Sequence, residues 1–213
     1  MNLTVAPELD GIVVAVWGTA EPVRVVDRDP RMDEPLQRSA AGMRTANEAA
    51  DLTTAVRTMY KRVGIDPTKT RPSSEALLRR VRKGDELPRI NSLVDVINWC
   101  SLETRVPFGL YDLARIDGDV TLRLGRDDEA YAGIRKDTVH VSGRLTLSDA
   151  AGPFGNPTSD SARTMVTSAT RAALVVVYAP LDTAPAQLTR VLDTTAERLA
   201  HICGGREQAR WQA

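Results

Sequence analysis

Asn91-Ser92-Leu93-Val94-Asp95-Val96-Ile97-Asn98-Trp99-Cys100-Ser101-Leu102 is the stretch on which the fold turns. Bounded by Pro88 before it and by Pro107 and Gly109 after it, it reads as a helix from about Asn91 to Glu103. Leu93, Val94, Val96, Ile97, Trp99, Cys100 and Leu102 cover most of its circumference. A helix that is apolar nearly all round is buried, so this one packs inside the molecule. Asn91, Asp95 and Asn98 recur at spacings of four and three and share one face. Asn and Asp are poor helix formers, and a buried polar stripe needs hydrogen-bond partners. Two readings stay open: the three side chains cap neighbouring loops and hold the fold, or they line a pocket.

Working outward, Ser73 reads as the N-cap of a preceding helix with Glu75 in its first turn, Leu77, Leu78 and Val81 as its apolar stripe and Gly84 as its stop. Ile65 to Pro72 is a loop pinned by prolines, after a helical reading from about Asp33 to Val63 that Gly42 interrupts or uses for packing. Strands are expected at residues 12–17 and 23–26 before it. After the central helix, strands are expected at residues 119–124, 139–141, 144–147, 164–167 and 174–178, with a small-residue loop over residues 152–160. A last helix starts near Pro185, with Leu188, Val191, Leu192, Thr195, Leu199 and Ile202 as its stripe, and Gly204-Gly205 stop it ahead of a loose tail. Strands, helices, strands and one more helix in that order predict an α+β fold, with a mixed, partly barrel-like sheet core and helices packed around it.

The chain has 213 residues, enough for one domain with a real core, and residues 1–213 are read as that single domain. Its 28 basic and 28 acidic residues cancel, and it holds only 2 Phe, 3 Trp and 4 Tyr. Non-specific DNA coating and a stacked-aromatic single-strand platform both lose ground, and no DNA partner is expected. Cys100 and Cys203, with His140 and His201, lack metal-ligand spacing, so no metal or other cofactor is expected. No apolar run is long enough to span a bilayer, and the first residues have the wrong polarity for a signal peptide, so no membrane association and a cytoplasmic location are expected. Walker, Rossmann and GxSxG signatures are missing.

Two further clusters stand out. Asp160-Ser161-Ala162-Arg163-Thr164 follows the Gly152 to Thr158 stretch; it is either an ordinary turn or a loop that lets backbone amides approach a ligand. Between Arg57 and Arg89 there are ten basic residues against four acidic ones, in a chain whose total is neutral. Such a segment is a solvated helix face or a surface for a phosphate backbone.

Residues about 57–180 resemble the stand-alone B-three/B-four domain proteins, relatives of the editing domain of the phenylalanyl-tRNA synthetase beta subunit. The resemblance lies in Lys61-Arg62-Val63-Gly64, in Lys69 through Arg80, in Pro88 through Asn98, in Pro107 through Asp112, in Glu129, and in Asp160-Ser161 with Arg163-Thr164. That editing domain hydrolyses tyrosine wrongly attached to the phenylalanine tRNA. By resemblance, the chain is an RNA-associated editing protein that hydrolyses misacylated tRNA in trans, with tRNA or aminoacyl-tRNA as partner. The implied catalytic residues are Asn98, Ser161 and Thr164, with the Gly152–Gly155 amides around the oxyanion. Asn91, Ser92, Asp112, Glu129, Asp160 and Arg163 are the implied substrate-binding residues, and Lys69, Arg71, Arg79, Arg80 and Lys83 the RNA-binding ones. Two positions depart from the family pattern: Gly109 stands where the bacterial synthetase has a pocket histidine, and the family's late-strand glutamate falls among Leu174 to Val177. The alternative expectation is a module of the same fold that binds tRNA or an amino acid without turnover.

Overall fold

The strand at Ala173–Pro180 is buried along its whole length, and the rest of the chain is arranged to cover its two faces. In the computed structural model, which describes residues 1–46, 52–134, 137–204 and, for the backbone alone, 210–212, ten strands and five helices are found. In chain order these are β1 (Leu3–Val5), β2 (Val13–Ala20), α1 (Asp33–Thr45), α2 (Thr53–Arg62), α3 (Ser73–Arg82), α4 (Ser92–Thr104), β3 (Phe108–Asp112) and β4 (Val120–Leu124). There follow β5 (Ala130–Ala132), β6 (Thr138–His140), β7 (Leu145–Asp149), β8 (Gly152–Gly155), β9 (Ala173–Pro180), α5 (Pro185–Cys203) and β10 (Arg210–Gln212).

The central sheet has the order β10-β2-β9-β3, antiparallel throughout, with Val16 opposite Val177 and Gly109 opposite Val176. Side chains alternate across a strand, so β9 serves two cores. Ala173, Val175, Val177 and Ala179 meet residues of α1, α3, α4 and α5, including Leu36, Leu78, Leu93 and Leu199. Leu174, Val176 and Tyr178 meet α2 and a second sheet, β1-β4-β7-β8, through Met59, Leu122, Leu147 and Phe154. The second sheet is antiparallel except for the parallel β1–β4 pair. The result is an α+β architecture of helices, sheet and sheet, with a small β5–β6 pair beside it. Among the described residues no sheet closes into a barrel, which corrects the barrel-like part of the expectation.

Local chemistry explains α4. Asn91 is its N-cap, its side-chain oxygen accepting from the Val94 amide at 3.0 Å, and Arg105 ends it in the left-handed region at φ 63°. Asp95 is 1% exposed; it accepts from Arg89 Nε at 2.7 Å and from the Ile90 amide at 2.8 Å. Arg89 also binds Asp33 and the Asp29 carbonyl, so one guanidinium ties the start of α4 to the start of α1.

Several expectations need correction. Residues 23–26 are extended but join no sheet: their amides go to the Arg171 and Cys203 carbonyls, and Val26 N donates to Ser92 Oγ. The helical reading from Asp33 to Val63 divides after Thr45; residues 47–51 lie outside the described residues. Pro72, not Ser73, is the residue before α3. The chain from Gly152 to Gly155 is strand β8, whereas residues 164–167 form no strand. The tail, expected to be loose, pairs at Arg210–Gln212 with β2; Gly205 lies outside the described residues. No helix among the described residues is long and apolar enough to cross a membrane.

Leu174 is fully buried against Leu122 and its neighbours. Leu174→Ala is expected to destabilise the fold by about 2–5 kcal/mol through lost transfer energy and the cavity left behind. Urea unfolding checks this: the midpoint falls while the slope stays constant.

Candidate functional site

Where α3 and α4 lie over β3, at the edge of the central sheet, a cavity of about 310 Å³ opens. α4 lines it with Val94, Ile97, Asn98 and Ser101, which fall on one side of the helix at its natural period. α3 contributes Ser73 and Leu77, and β3 contributes Phe108 and Leu110. Asp160, Met165, Val166, Ile90 and Ile134 complete the wall.

The lining is mainly apolar, and its polar groups differ in what they already do. Ser101 Oγ donates to the Val106 carbonyl at 2.8 Å. Asn98 is partly buried, and among the described residues its amide has no hydrogen-bond partner. Ser73 Oγ is shut off from water and likewise has no partner. A buried hydroxyl left without a partner is costly, so a group in the cavity that bonded it would be favoured. Asp160 accepts from the Tyr111 hydroxyl at 2.7 Å.

The segment carrying Asp160 is held by three tyrosines, with the fourth behind one of them. Tyr111 binds Asp160, and Tyr178 bonds the Tyr111 hydroxyl at 3.0 Å. Tyr131 donates to the Ser159 carbonyl at 2.6 Å and receives Asn156 Nδ2 at 2.8 Å. Tyr60 meets Thr158 Oγ1 at 2.9 Å. The Asn156 side-chain oxygen accepts from the amides of Thr158 and Ser159, both at 2.8 Å, closing the turn.

The Tyr111 ring explains two glycines. A Cβ on Gly109 would stand 2.4 Å from its hydroxyl, and one on Gly155 would stand 2.3 Å from it. Phe154 meets the ring edge-on, centroids 5.0 Å apart. At Gly109, where the resemblance implies the loss of a histidine, the phenol of Tyr111 occupies the space any side chain would need.

The structure therefore divides the sequence-predicted residues. Asn98 and Asp160 come together in the cavity wall; the others do not line it. Asn91 caps α4, and Ser92 Oγ accepts from the Val26 amide. Ser161 Oγ accepts from the Arg163 amide at 3.1 Å, and Thr164 is buried, its carbonyl accepting from the Asp112 amide. Asp112 caps a short turn and accepts from Thr170 Oγ1 at 2.8 Å. Glu129 pairs with Arg123 at 2.7 and 2.8 Å, and Arg163 pairs with Asp149 at 2.9 Å. The Gly152–Gly155 amides belong to a strand paired with β7 rather than to an open loop. Sequence reasoning missed Tyr111 and Ser73. Nothing local in the Pro-Phe-Gly-Leu-Tyr-Asp run tells that a ring folds back over a glycine two residues earlier.

Lys69, Arg79, Arg80 and Lys83 are exposed, and Arg71 is tied to Glu75 at 3.4 Å. Arg79 and Lys83 line a groove of about 440 Å³ between α2 and α3, together with Arg57, Arg82 and Glu75. Arg57 pairs with Glu75 at 2.9 Å, while Arg80 donates to the Glu86 carbonyl. Among the described residues no three His, Cys, Asp or Glu side chains gather as a metal site, and Cys100 and Cys203 are buried free thiols.

The chain thus combines a mixed α+β fold with a largely apolar cavity beside a buried helix. The B3/4 domain family matches residues 55–204, and the chain belongs to that family. It is 32% identical over 90 residues to the phenylalanine–tRNA ligase beta subunit of Paramagnetospirillum magneticum, a match that covers 36% of this chain and 11% of that protein. With the same subunit of Chromobacterium violaceum it is 34% identical over 80 residues, 37% of this chain and 10% of that protein. The chain thus spans about a tenth of the length of these curated relatives. Among solved structures it is similar to an N-terminal fragment of the phenylalanyl-tRNA synthetase beta subunit of Pyrococcus horikoshii, at 15% identity and a TM-score of 0.49, over 94% of this chain and 48% of that one.

Burial holds all four tyrosines above their usual value of about 10, and for Tyr111 and Tyr178 the neighbouring Asp160 charge adds to it. The folded chain keeps phenolic protons that the unfolded chain releases above about pH 10. That contribution to stability is complete below this pH and is lost as pH rises. Alkaline titration followed by phenolate absorbance is expected to show no phenolate until the fold is lost, and then all of it in one cooperative step. In the same region, Gly155→Ala drives a methyl group into the Tyr111 ring and is expected to cost about 1–3 kcal/mol, read from the urea midpoint.

Proposed function

We propose that this protein is an aminoacyl-tRNA editing hydrolase that acts in trans, the cavity between α3, α4 and β3 receiving the aminoacyl group. The observation that carries the reading is the Asn98 amide, set without a partner among the described residues in the wall of a mainly apolar cavity. Membership of the B3/4 family and the partial likeness to synthetase beta subunits support it.

The chemistry asked of the residues is modest. An aminoacyl ester of ribose is already reactive, so fixing its orientation and stabilising the developing oxyanion supply the acceleration. Asn98 Nδ2 donates to the ester carbonyl oxygen as water attacks the carbonyl carbon. The tetrahedral intermediate collapses by breaking the bond to the ribose oxygen, which takes the proton the water gives up. The products are the free amino acid and a tRNA with its terminal hydroxyl restored.

α3 joins the cavity to a basic surface. Ser73 and Leu77 line the cavity, and Arg79 and Lys83, within two turns of Leu77, line the groove. A phosphate backbone running along the outer side of α3 would bring the acylated end of a tRNA to the cavity, with affinity that falls steeply as salt rises.

Hydrolysis of a panel of mischarged tRNAs tests the reading. Acceleration over buffer is expected for at least one pair. Asn98→Ala is expected to slow it by about 100-fold, as for loss of one oxyanion donor, with no loss of thermal stability. No acceleration on any pair overturns the proposal. Saturable binding of aminoacyl-tRNA without cleavage favours the binding module instead, a reading motivated by the glycine at position 109, which has no room for a side chain beside the Tyr111 ring, and by the absence of an acid among Leu174 to Val177.

A further inference from the structure

We infer that the acylated RNA enters as an unpaired strand that crosses the outer face of α3 at Ala76, with the groove between α2 and α3 holding phosphates a few nucleotides before the terminal ribose. The inference rests on the cavity being an aminoacyl site, as proposed above. It adds the part of the RNA that is recognised: the single-stranded 3′ end, and not the folded body behind it.

α3 separates cavity from groove and sets the path between them. Each residue turns about 100° round a helix. Ser73 and Leu77 therefore share one face, the cavity's, while Glu75, Leu78, Arg79 and Arg82 share the opposite one, the groove's. Ser74, Leu78 and Val81 are buried, so the inner side of the helix is closed. The open way round is the outer side, where Ala76 and Arg80 are both exposed. Ala76 presents only a methyl group there, which leaves room for a sugar-phosphate backbone. Arg80, held by the Glu86 carbonyl, stands beside the crossing.

The spacing fixes which phosphates are met. At 1.5 Å per residue, Arg79 lies about 9 Å and Lys83 about 15 Å beyond Ser73 along the axis. A stacked strand rises about 3.4 Å per nucleotide, so these cations meet phosphates roughly three to four nucleotides before the ribose.

The charges in the groove are available for that purpose. Glu75 is taken by Arg57 at 2.9 Å and by Arg71 at 3.4 Å. The side chains of Arg79 and Lys83 have no partner among the described residues. They stand one turn apart, where like charges repel, and a phosphate between them relieves that repulsion. The helix dipole welcomes a cation at this end, but one of them is enough for it. The footprint is also small. Residues 57–89 hold ten basic and four acidic residues, so the rest of this neutral chain has six more acids than bases. A duplex, with one charge per about 1.7 Å of its axis, would meet that acidic remainder, whereas a short strand laid over α3 would not.

Single-stranded RNA probes of one, three, five and nine nucleotides that end in 3′-aminoacylamino-3′-deoxyadenosine test the inference by fluorescence or calorimetric titration. Leucyl, phenylalanyl and tyrosyl series are compared, and lengths are compared within each series that binds. Affinity is expected to rise at least about tenfold from one nucleotide to five, as phosphates are added. It is expected to change less than about twofold from five to nine, or when a hairpin is joined behind a five-nucleotide overhang. Ala76→Glu, and Arg79→Ala combined with Lys83→Ala, are expected to remove most of the gain and leave the one-nucleotide probe unchanged, a difference that loss of folding would not produce. A five-nucleotide probe that binds no better than one nucleotide overturns the inference. So does a further gain of about tenfold from the hairpin, a gain that survives Ala76→Glu, or binding in no series. The two proposals fail separately. Length-dependent binding with no ester cleaved removes the editing activity and keeps the strand path, while cleavage of acylated tRNA by a protein indifferent to strand length keeps the activity and removes the path.

Discussion

A strand with water on neither side is the constraint around which this protein is arranged. Seven residues of β9, Ala173 through Ala179, have no solvent exposure, and they alternate between a helical core and a core shared with a second sheet. Each buried valine or leucine contributes on the order of 1.5–3 kcal/mol, but only while both coverings are in place. Removing either layer would expose one set of side chains outright. The two cores are therefore coupled through one backbone, and the β3 edge that carries the cavity inherits its rigidity from its antiparallel ladder to β9.

The cavity shows how one helix can serve structure and chemistry together. Asn91 and Asp95 are used up in seating α4, through a cap and through a buried pairing with Arg89 that reaches α1. Asn98, one turn further on, is left for the cavity. The two readings of the polar stripe that the sequence left open are thus both correct, at different residues. Breaking the Asp95–Arg89 contact would act on the cavity indirectly, by loosening the start of the helix that presents Asn98.

Legibility in the sequence followed periodicity. α3, α4 and α5 could be placed because a period near 3.6 and recognisable ends agree over many residues, and β2, β4 and β9 because their apolar runs are long or alternate cleanly. β3 and β8 escaped because Pro107, Gly109, Gly152, Pro153 and Gly155 read as breakers. Glycine there answers to a tertiary cause, the Tyr111 ring, and Pro153 is tolerated because β8 is an edge strand. Residues 23–26 have strand composition, yet their amides go to the Arg171 carbonyl, to the Cys203 carbonyl at the end of α5 and to Ser92 Oγ rather than to a strand. In the site, Asn98 was visible as an amide on an apolar helix. Ser161 and Thr164 join it only through the resemblance; side-chain direction in an irregular segment is not written in the local sequence, and theirs lead into the turn and the interior.

The tyrosine tether separates the turn that carries Asp160 from the apolar wall of the cavity. Tyr60, Tyr111 and Tyr131 grip residues 156–160, with Tyr178 behind Tyr111, and none of the four lines the cavity, so the seat of Asp160 does not depend on which aliphatic groups face it. Volume-conserving exchanges at Leu77, Ile97 or Leu110 can then reshape the chamber while its charged fixture stays put. Such a scaffold is suited to diversify, with a fixed turn and a retunable lining open to independent mutational steps.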